Sequence, residues 1–228
     1  MLARLGFLGG AAWLGYAWLP HLATPLCVHR GPDNARRIAL TFDDGPDPSF
    51  TPRVLDLLAK HDARGTFFLI GERAARAPEV VRDMAARGHE IGSHSWSHPS
   101  LWLCGPRRTA AEIDRAQDAL TDLTGTAPRF FRPPWGMVNA AMFPLLRARG
   151  LQPVFWSIQP EGLRPAPADA QAAYVVRRAH AGGIVDLHDA EGTAGAPARL
   201  LAALPPMIEG LRSLGYDFTT VGDLLGSR

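Results

Sequence analysis

The chain has 228 residues, enough for one sizeable domain with a short appendage. A net charge of +2, with no basic cluster interleaved with aromatics, argues against a nucleic-acid partner. Its 2 cysteines, Cys27 and Cys104, are too few for a disulfide framework and badly spaced for a zinc ribbon.

The first element is an apolar segment. Residues Leu5 to Val28 carry no Asp, Glu, Lys or Arg, and the most apolar part runs from Leu5 to Leu19 before meeting Pro20. That is short for a bilayer span, which needs roughly 20 residues. It suits an uncleaved anchor or a signal peptide with aromatic residues near its outer end. A cleavage site is poorly supported, because His21 stands two residues before the small Ala23. The expectation over residues 1–28 is therefore an anchor, with Arg4 on the cytoplasmic side and the domain outside it. A cleaved signal and a secreted protein is the alternative. Gly9, Gly10 and Gly15 make a buried helix of the domain the weaker reading.

From about Arg36 short β-like runs alternate with helical patterns. The β runs are Arg37–Phe42, Thr66–Ile70, His89–Gly92, Arg129–Arg132, Gln152–Ser157, Ile184–His188 and Tyr216–Thr219. The helices between them are Thr51–His61, Pro78–Arg87, Arg107–Leu123, Asn139–Arg149, Ala168–Ala181 and Pro197–Leu214. Most of them close just before a glycine, and Pro205 and Pro206 are expected to break or kink the last. Such alternation implies parallel βα units in one catalytic domain over residues 36–226. A barrel and a doubly wound open sheet both satisfy it. In a barrel, chemistry gathers at the C-terminal ends of the strands. Asp43 and Asp44 follow the first run, His94 and His98 the third, Arg132 ends the fourth and His188 the sixth.

Each of these has a bland reading. Thr41-Phe42-Asp43-Asp44-Gly45-Pro46 could be a solvated turn. His94-Ser95-Trp96-Ser97-His98 spaces two imidazoles to share one face of a helical turn, and a surface histidine pair would look the same. With one carboxylate from Asp43-Asp44, however, two histidines make a donor set that leaves a metal open to water and substrate. Phe130-Phe131-Arg132-Pro133-Pro134-Trp135-Gly136 reads as a stiff loop in which Arg132 can orient a carboxylate and backbone N–H groups can face an oxyanion. His188 suits a general acid.

In this order and spacing, Thr41–Pro46, His94–His98, Arg132–Trp135 and Leu187-His188 resemble the polysaccharide deacetylase family, the family-four carbohydrate esterases with the NodB homology domain. Gly65–Gly71 and Gly88–Gly92 are similar too, so the resemblance runs from about Arg37 to Leu224. It implies a distorted (β/α) barrel of seven or eight strands. It implies a divalent metal, usually zinc, with cobalt, nickel or iron suited to the same ligands, held by Asp44, His94 and His98. It implies Asp43 as general base, Arg132 holding Asp43, the Trp135 N–H at the oxyanion and His188 as acid. Pro133, Leu187 and Trp156 are the expected pocket walls.

One run departs from the family. Where relatives read Trp-Ser-Val-Asp-Pro-x-Asp-Trp, this chain reads Trp156-Ser157-Ile158-Gln159-Pro160-Glu161-Gly162-Leu163. Both aspartates are absent. Asp186, which interrupts an apolar strand on the face that carries His188, or Glu161, is expected to partner Arg132 or His188 instead. The resulting expectation is a monomeric metal-dependent N-deacetylase of an N-acetylated cell-envelope glycan, outside the cytoplasm and at the membrane through its N-terminal segment. A lipid-linked sugar deformylase or deacetylase, and a non-catalytic carbohydrate-binding relative, are the alternatives.

Overall fold

β1, Arg37–Asp43, is the hub of the molecule. Its run from Ile38 to Asp43 pairs in parallel with Gly183–His188 (β6). Its opposite edge is shared between Asp217–Thr219 (β7) at the start and Thr66–Leu69 (β2) at the end. From β2 the parallel sheet continues through Glu90–Ser93 (β3) and Phe130–Phe131 (β4) to Gln152–Pro153 (β5). Val154 to Ile158 then run irregularly back to β6. There Ile158 forms a single bridge with Val185, and the Asp186 N–H donates to the Ile158 carbonyl at 2.9 Å. Among the described residues the sheet is thus a seven-stranded, distorted (β/α) barrel closed by one bridge, which settles the choice between barrel and open sheet. This computed structural model describes Gly10, residues 12–162 and residues 165–226, without the Leu26 side chain.

β1 is buried on both faces, as a central parallel strand must be. Phe42 stacks on Phe67 at 4.6 Å between ring centres inside the main core. The helices α1 (Thr51–Lys60), α2 (Gly71–Arg76), α3 (Pro78–Ala86), α4 (Pro106–Thr124), α5 (Met142–Ala148), α6 (Ala168–Arg178), α7 (Ala196–Ser213) and α8 (Val221–Leu224) follow the strands. The short α2 and α8 lack a long apolar period and escape a reading of the sequence. α7 does not break at Pro205 and Pro206 as expected. Each proline removes one backbone donor, but Leu200, Ala203, Leu204, Met207, Ile208 and Leu211 form one continuous stripe buried in the core. Tertiary burial overrides the local penalty.

The N-terminal segment lies against the domain. A π-helical run, Leu14–Trp18, leads into a 3₁₀ stretch, Leu19–Leu26. The Tyr16 hydroxyl donates to the Cys104 carbonyl at 2.9 Å, and the Tyr16 carbonyl accepts from the Ala140 N–H at 2.8 Å. Trp13 packs edge-on to Trp102, Ala17 is fully buried, and Val28 bridges to Val154. Among the described residues no helix is long and apolar enough to cross a membrane. The part of the expected anchor formed by residues 1–9 and Ala11 lies outside the described residues, as does Leu163.

Candidate active site

At the C-terminal ends of β1, β3 and β6 the barrel opens into a cavity of about 320 Å³. Asp43, Asp44, His94, His98, Asp186 and His188 are among its lining residues. So are Pro133, Trp135, Met137, Trp156, Gln159 and Glu161.

Asp43 is the last residue of β1, and Asp44 leaves the strand with φ of 71°. That left-handed turn cancels the alternation that would send neighbouring strand side chains to opposite faces. Both carboxylates therefore enter the same cavity, which strand alternation alone would not allow. Burial lifts both above the usual carboxylate range; Arg132 and His188 pull Asp43 back down, and His188 and Arg73 pull Asp44.

The histidines are not on a helical turn. Residues 94–98 form a loop in which Ser95 and His98 adopt φ of 66° and 57°. This loop is held from α4. Glu112 accepts from the backbone N–H groups of Trp96 and Ser97 at 3.1 and 2.8 Å, and from the Ser97 hydroxyl at 2.7 Å. His94 Nδ1 sits 2.7 Å from the Arg132 carbonyl and donates to it, which leaves Nε2 turned towards Asp44 as a free acceptor. His94 Nε2 and His98 Nε2 stand 3.7 and 3.1 Å from Asp44 Oδ1. Burial, together with neighbouring positive charge, lowers both imidazoles to about 3, so both are neutral at pH 7. Asp44 Oδ1 is buried and has no hydrogen-bond donor among the described residues. Two neutral imidazole nitrogens converging on an orphaned carboxylate oxygen fit a divalent cation.

Arg132 is wholly buried behind Asp43. Its Nη1 lies 2.7 Å from both Asp43 Oδ1 and Thr41 Oγ1, and Nη2 donates to the Phe155 carbonyl at 2.9 Å. Its guanidinium carbon stands 4.1 Å from the centre of the Phe68 ring. His188 ends β6 directly beside Asp43 in register. Its burial disfavours the imidazolium, but the carboxylates of Asp186, Asp43, Asp44 and Glu161 outweigh this and raise it.

The remaining expected residues divide. Trp135 is half exposed at the mouth, with φ of 61°, and its ring lies 5.0 Å from His98. Pro133 and Trp156 are walls, but Leu187 is not. Strand alternation turns it into the core with Phe42 and Val185, opposite Asp186 and His188. Glu161 borders the cavity, but its carboxylate is engaged by Arg199 at 2.5 Å. Asp186 instead faces Arg132 at 3.4 Å, and burial next to Asp43 pushes it up to about 7.

Four supporting residues were not foreseen. Glu112 left a signal, since an acid on the buried stripe of α4 with Thr109, Ile113 and Ala116 needs donors. Arg73 donates to the carbonyls of Asp44 and Glu191 at 2.7 and 3.0 Å, tying β1 to the loop after β6. Asp189, lifted to about 7 by burial, accepts from Thr51 Oγ1 at 2.5 Å. Gly192 packs so close to Asp44 that a Cβ there would collide with Asp44 Oδ2. The last three are long-range contacts with no local pattern.

The polysaccharide deacetylase family model matches residues 30–154. A peptidoglycan-N-acetylglucosamine deacetylase of Bacillus cereus is 38% identical over 197 residues, covering 85% of this chain and 90% of that protein. The peptidoglycan-N-acetylglucosamine deacetylase PgdA of Listeria monocytogenes is 37% identical over 193 residues, which cover 85% of this chain; the match spans only 40% of that longer protein. The crystal structure of a peptidoglycan N-acetylglucosamine deacetylase in complex with a naphthalenyl N-oxidanyl-benzamide superposes with a TM-score of 0.86. It is 31% identical and covers 92% of this chain and 99% of its own. With its barrel, its family match and these relatives together, the chain belongs to the polysaccharide deacetylase family.

Proposed function

We propose that the protein is a metal-dependent hydrolase that removes N-acetyl groups from N-acetylglucosamine in a cell-envelope glycan, with peptidoglycan as the leading substrate. One observation carries the reading: the Asp44, His94 and His98 donor set shares its cavity with Asp43, backed by Arg132, and with His188. The names of the relatives support the substrate class. A non-catalytic carbohydrate binder would have no chemical use for this combination.

Asp44, His94 and His98 would hold the cation. Zinc is the preferred choice, and cobalt, nickel and iron share its taste for imidazole and carboxylate. When bound, the cation supplies Lewis acidity at the acyl group. Asp43 takes the proton of the attacking water, held in line by Arg132. The N–H of Trp135 would serve the developing oxyanion. His188, whose imidazole the surrounding carboxylates raise above its ordinary value, gives its proton to the departing amine. Trp135 and Trp156 offer flat apolar walls to a sugar ring. The uncharged N-terminal segment supports a location outside the cytoplasm, held at the membrane or secreted.

The test is acetate release from peptidoglycan and from chitooligosaccharides by the purified protein loaded with zinc. Release that a chelator abolishes and zinc restores is expected. Binding of these glycans without any acetate, across all four metals, would leave the binding module as the correct reading.

A further inference from the structure

Asp186 is the most anomalous residue of the barrel. It is 2% exposed and sits inside a strand whose neighbours are Val185 and Leu187. A carboxylate there is costly unless it is bound on more than one side. It is: Oδ1 lies 3.4 Å from Arg132 Nη1, and Oδ2 accepts from Gln159 Nε2 at 3.1 Å. The Asp186 N–H donates to the Ile158 carbonyl, so Gln159 is brought to its side by the bridge that closes the barrel.

Arg132 Nη1 is shared. It faces Asp43 Oδ1, Thr41 Oγ1 and Asp186 Oδ1, while Nε and Nη2 are occupied by the Val154 and Phe155 carbonyls. One guanidinium thus lies between two buried carboxylates, one on β1 and one on β6. Nη1 lies 2.7 Å from Asp43 and 3.4 Å from Asp186, so the second carboxylate adds a pull away from Asp43 on a group that Thr41 and two carbonyls also hold. That pull bears on where the guanidinium rests, and so on where Asp43 is held. A carboxamide at position 159 is the right companion. It gives Asp186 a donor, whereas a second acid would place two negative charges side by side.

We propose that Asp186 is a positioning residue that holds Arg132 in register with Asp43, with Gln159 as its aligning donor. The corner formed by positions 159 and 186 requires one carboxylate and one carboxamide, and it tolerates their exchange. This rests on the deacetylase reading only for its effect on rate; the holding of Arg132 stands apart from it.

The experiment compares wild type, Asp186→Asn, Gln159→Glu and the exchange variant Gln159→Glu/Asp186→Asn, all zinc-loaded, at pH 8.5. Asp186→Asn should lower kcat by about 10- to 100-fold with KM held within about twofold, the signature of a displaced reacting group. Gln159→Glu alone should also lose rate, and the exchange variant should recover to within about fivefold of wild type. The second readout is the 15N–1H spectrum of the Arg132 guanidinium, which is resolvable because the group is wholly buried. Its signals should move or broaden in Asp186→Asn and return in the exchange variant. A kcat for Asp186→Asn within twofold of wild type, or a folded exchange variant no faster than Asp186→Asn, overturns the proposal. So do Arg132 signals unmoved in Asp186→Asn, even if the exchange variant fails to fold. If wild type releases no acetate from any glycan, the deacetylase reading falls, and the Arg132 signals still decide whether Asp186 holds the guanidinium.

Discussion

Arg132 Nη1 and Asp43 Oδ1 meet at 2.7 Å in a place that water does not reach, Arg132 being fully buried and Asp43 nearly so. The guanidinium opposes the upward pull that burial exerts on the Asp43 carboxyl. Asp43→Asn keeps the shape and removes the basicity. Acetate release should fall by about 10²- to 10⁴-fold, the usual worth of a general base. Zinc content by elemental analysis should stay at one per chain, because Asp44, His94 and His98 remain. Loss of zinc together with activity would instead make Asp43 a ligand.

Glu112 determines the shape of the histidine loop from a distance. Glu112→Ala leaves the backbone N–H groups of Trp96 and Ser97 without their acceptor. Zinc affinity, measured by competition with a chromogenic chelator, should weaken by about 10- to 100-fold, as is typical when a support behind the ligands is removed. At saturating zinc, kcat should change only a few fold, since the reacting groups are untouched.

The pH dependence of the rate follows from His188. Its imidazole is raised above the ordinary 6.5 because four carboxylates outweigh its burial. A general acid works while it holds its proton, so activity is lost as pH rises through that raised value. The alkaline limb of kcat/KM should therefore lie above pH 6.5, the unperturbed histidine value. A limb at or below it would remove His188 from the acid role.

Thr51 and Asp189 give a stability test outside the reacting groups. Asp189 titrates at about 7 in the fold against an ordinary 3.8, so its contribution is fully present at low pH and is lost as pH rises through 7. The Thr51 hydroxyl is its hydrogen-bond donor and opposes that loss. Thr51→Val should destabilise the fold by about 1–3 kcal/mol. Chemical denaturation should show a larger cost at pH 8.5 than at pH 5.5, where the carboxyl is protonated. Equal costs at both would mean that Asp189 is ionised throughout.

Gly192 tests the closeness of the loop after β6. A methyl group there collides with Asp44 Oδ2, and the ligand must shift. Gly192→Ala should cost about 1–3 kcal/mol through overpacking and weaken zinc binding with it. A variant with unchanged stability and affinity would show that the loop moves aside freely.

Much of this site could be read from residues alone. Asp43, His94, Arg132 and His188 each end or follow a β run, and a barrel sends such positions to one mouth. Six of the seven strands also emerged within one residue of their expected limits, because parallel strands buried on both faces are short and apolar. What failed did so for physical reasons. Gln152–Ser157 shrank to a two-residue strand because Val154 to Ile158 turn to close the barrel. His94 and His98 meet through left-handed residues, not helical spacing, and Asp44 escapes strand alternation in the same way. Periodicity carries no information about such angles. Leu187, an expected pocket wall, adjoins His188 in sequence, and adjacency along a strand means the opposite face.

The docking of residues 13–28 also changes how the enzyme would meet a large substrate. A stretched linker from Pro20 to Ala35 could reach roughly 50 Å and let the cleft swing about its attachment. Here Tyr16 is pinned to Cys104 and Ala140, and the latter follows directly on the loop that carries Trp135. The segment acts as a bracket. Residues 13–28 and the Trp135 side of the mouth are thereby held as one body, and a large substrate would meet them as a single rim.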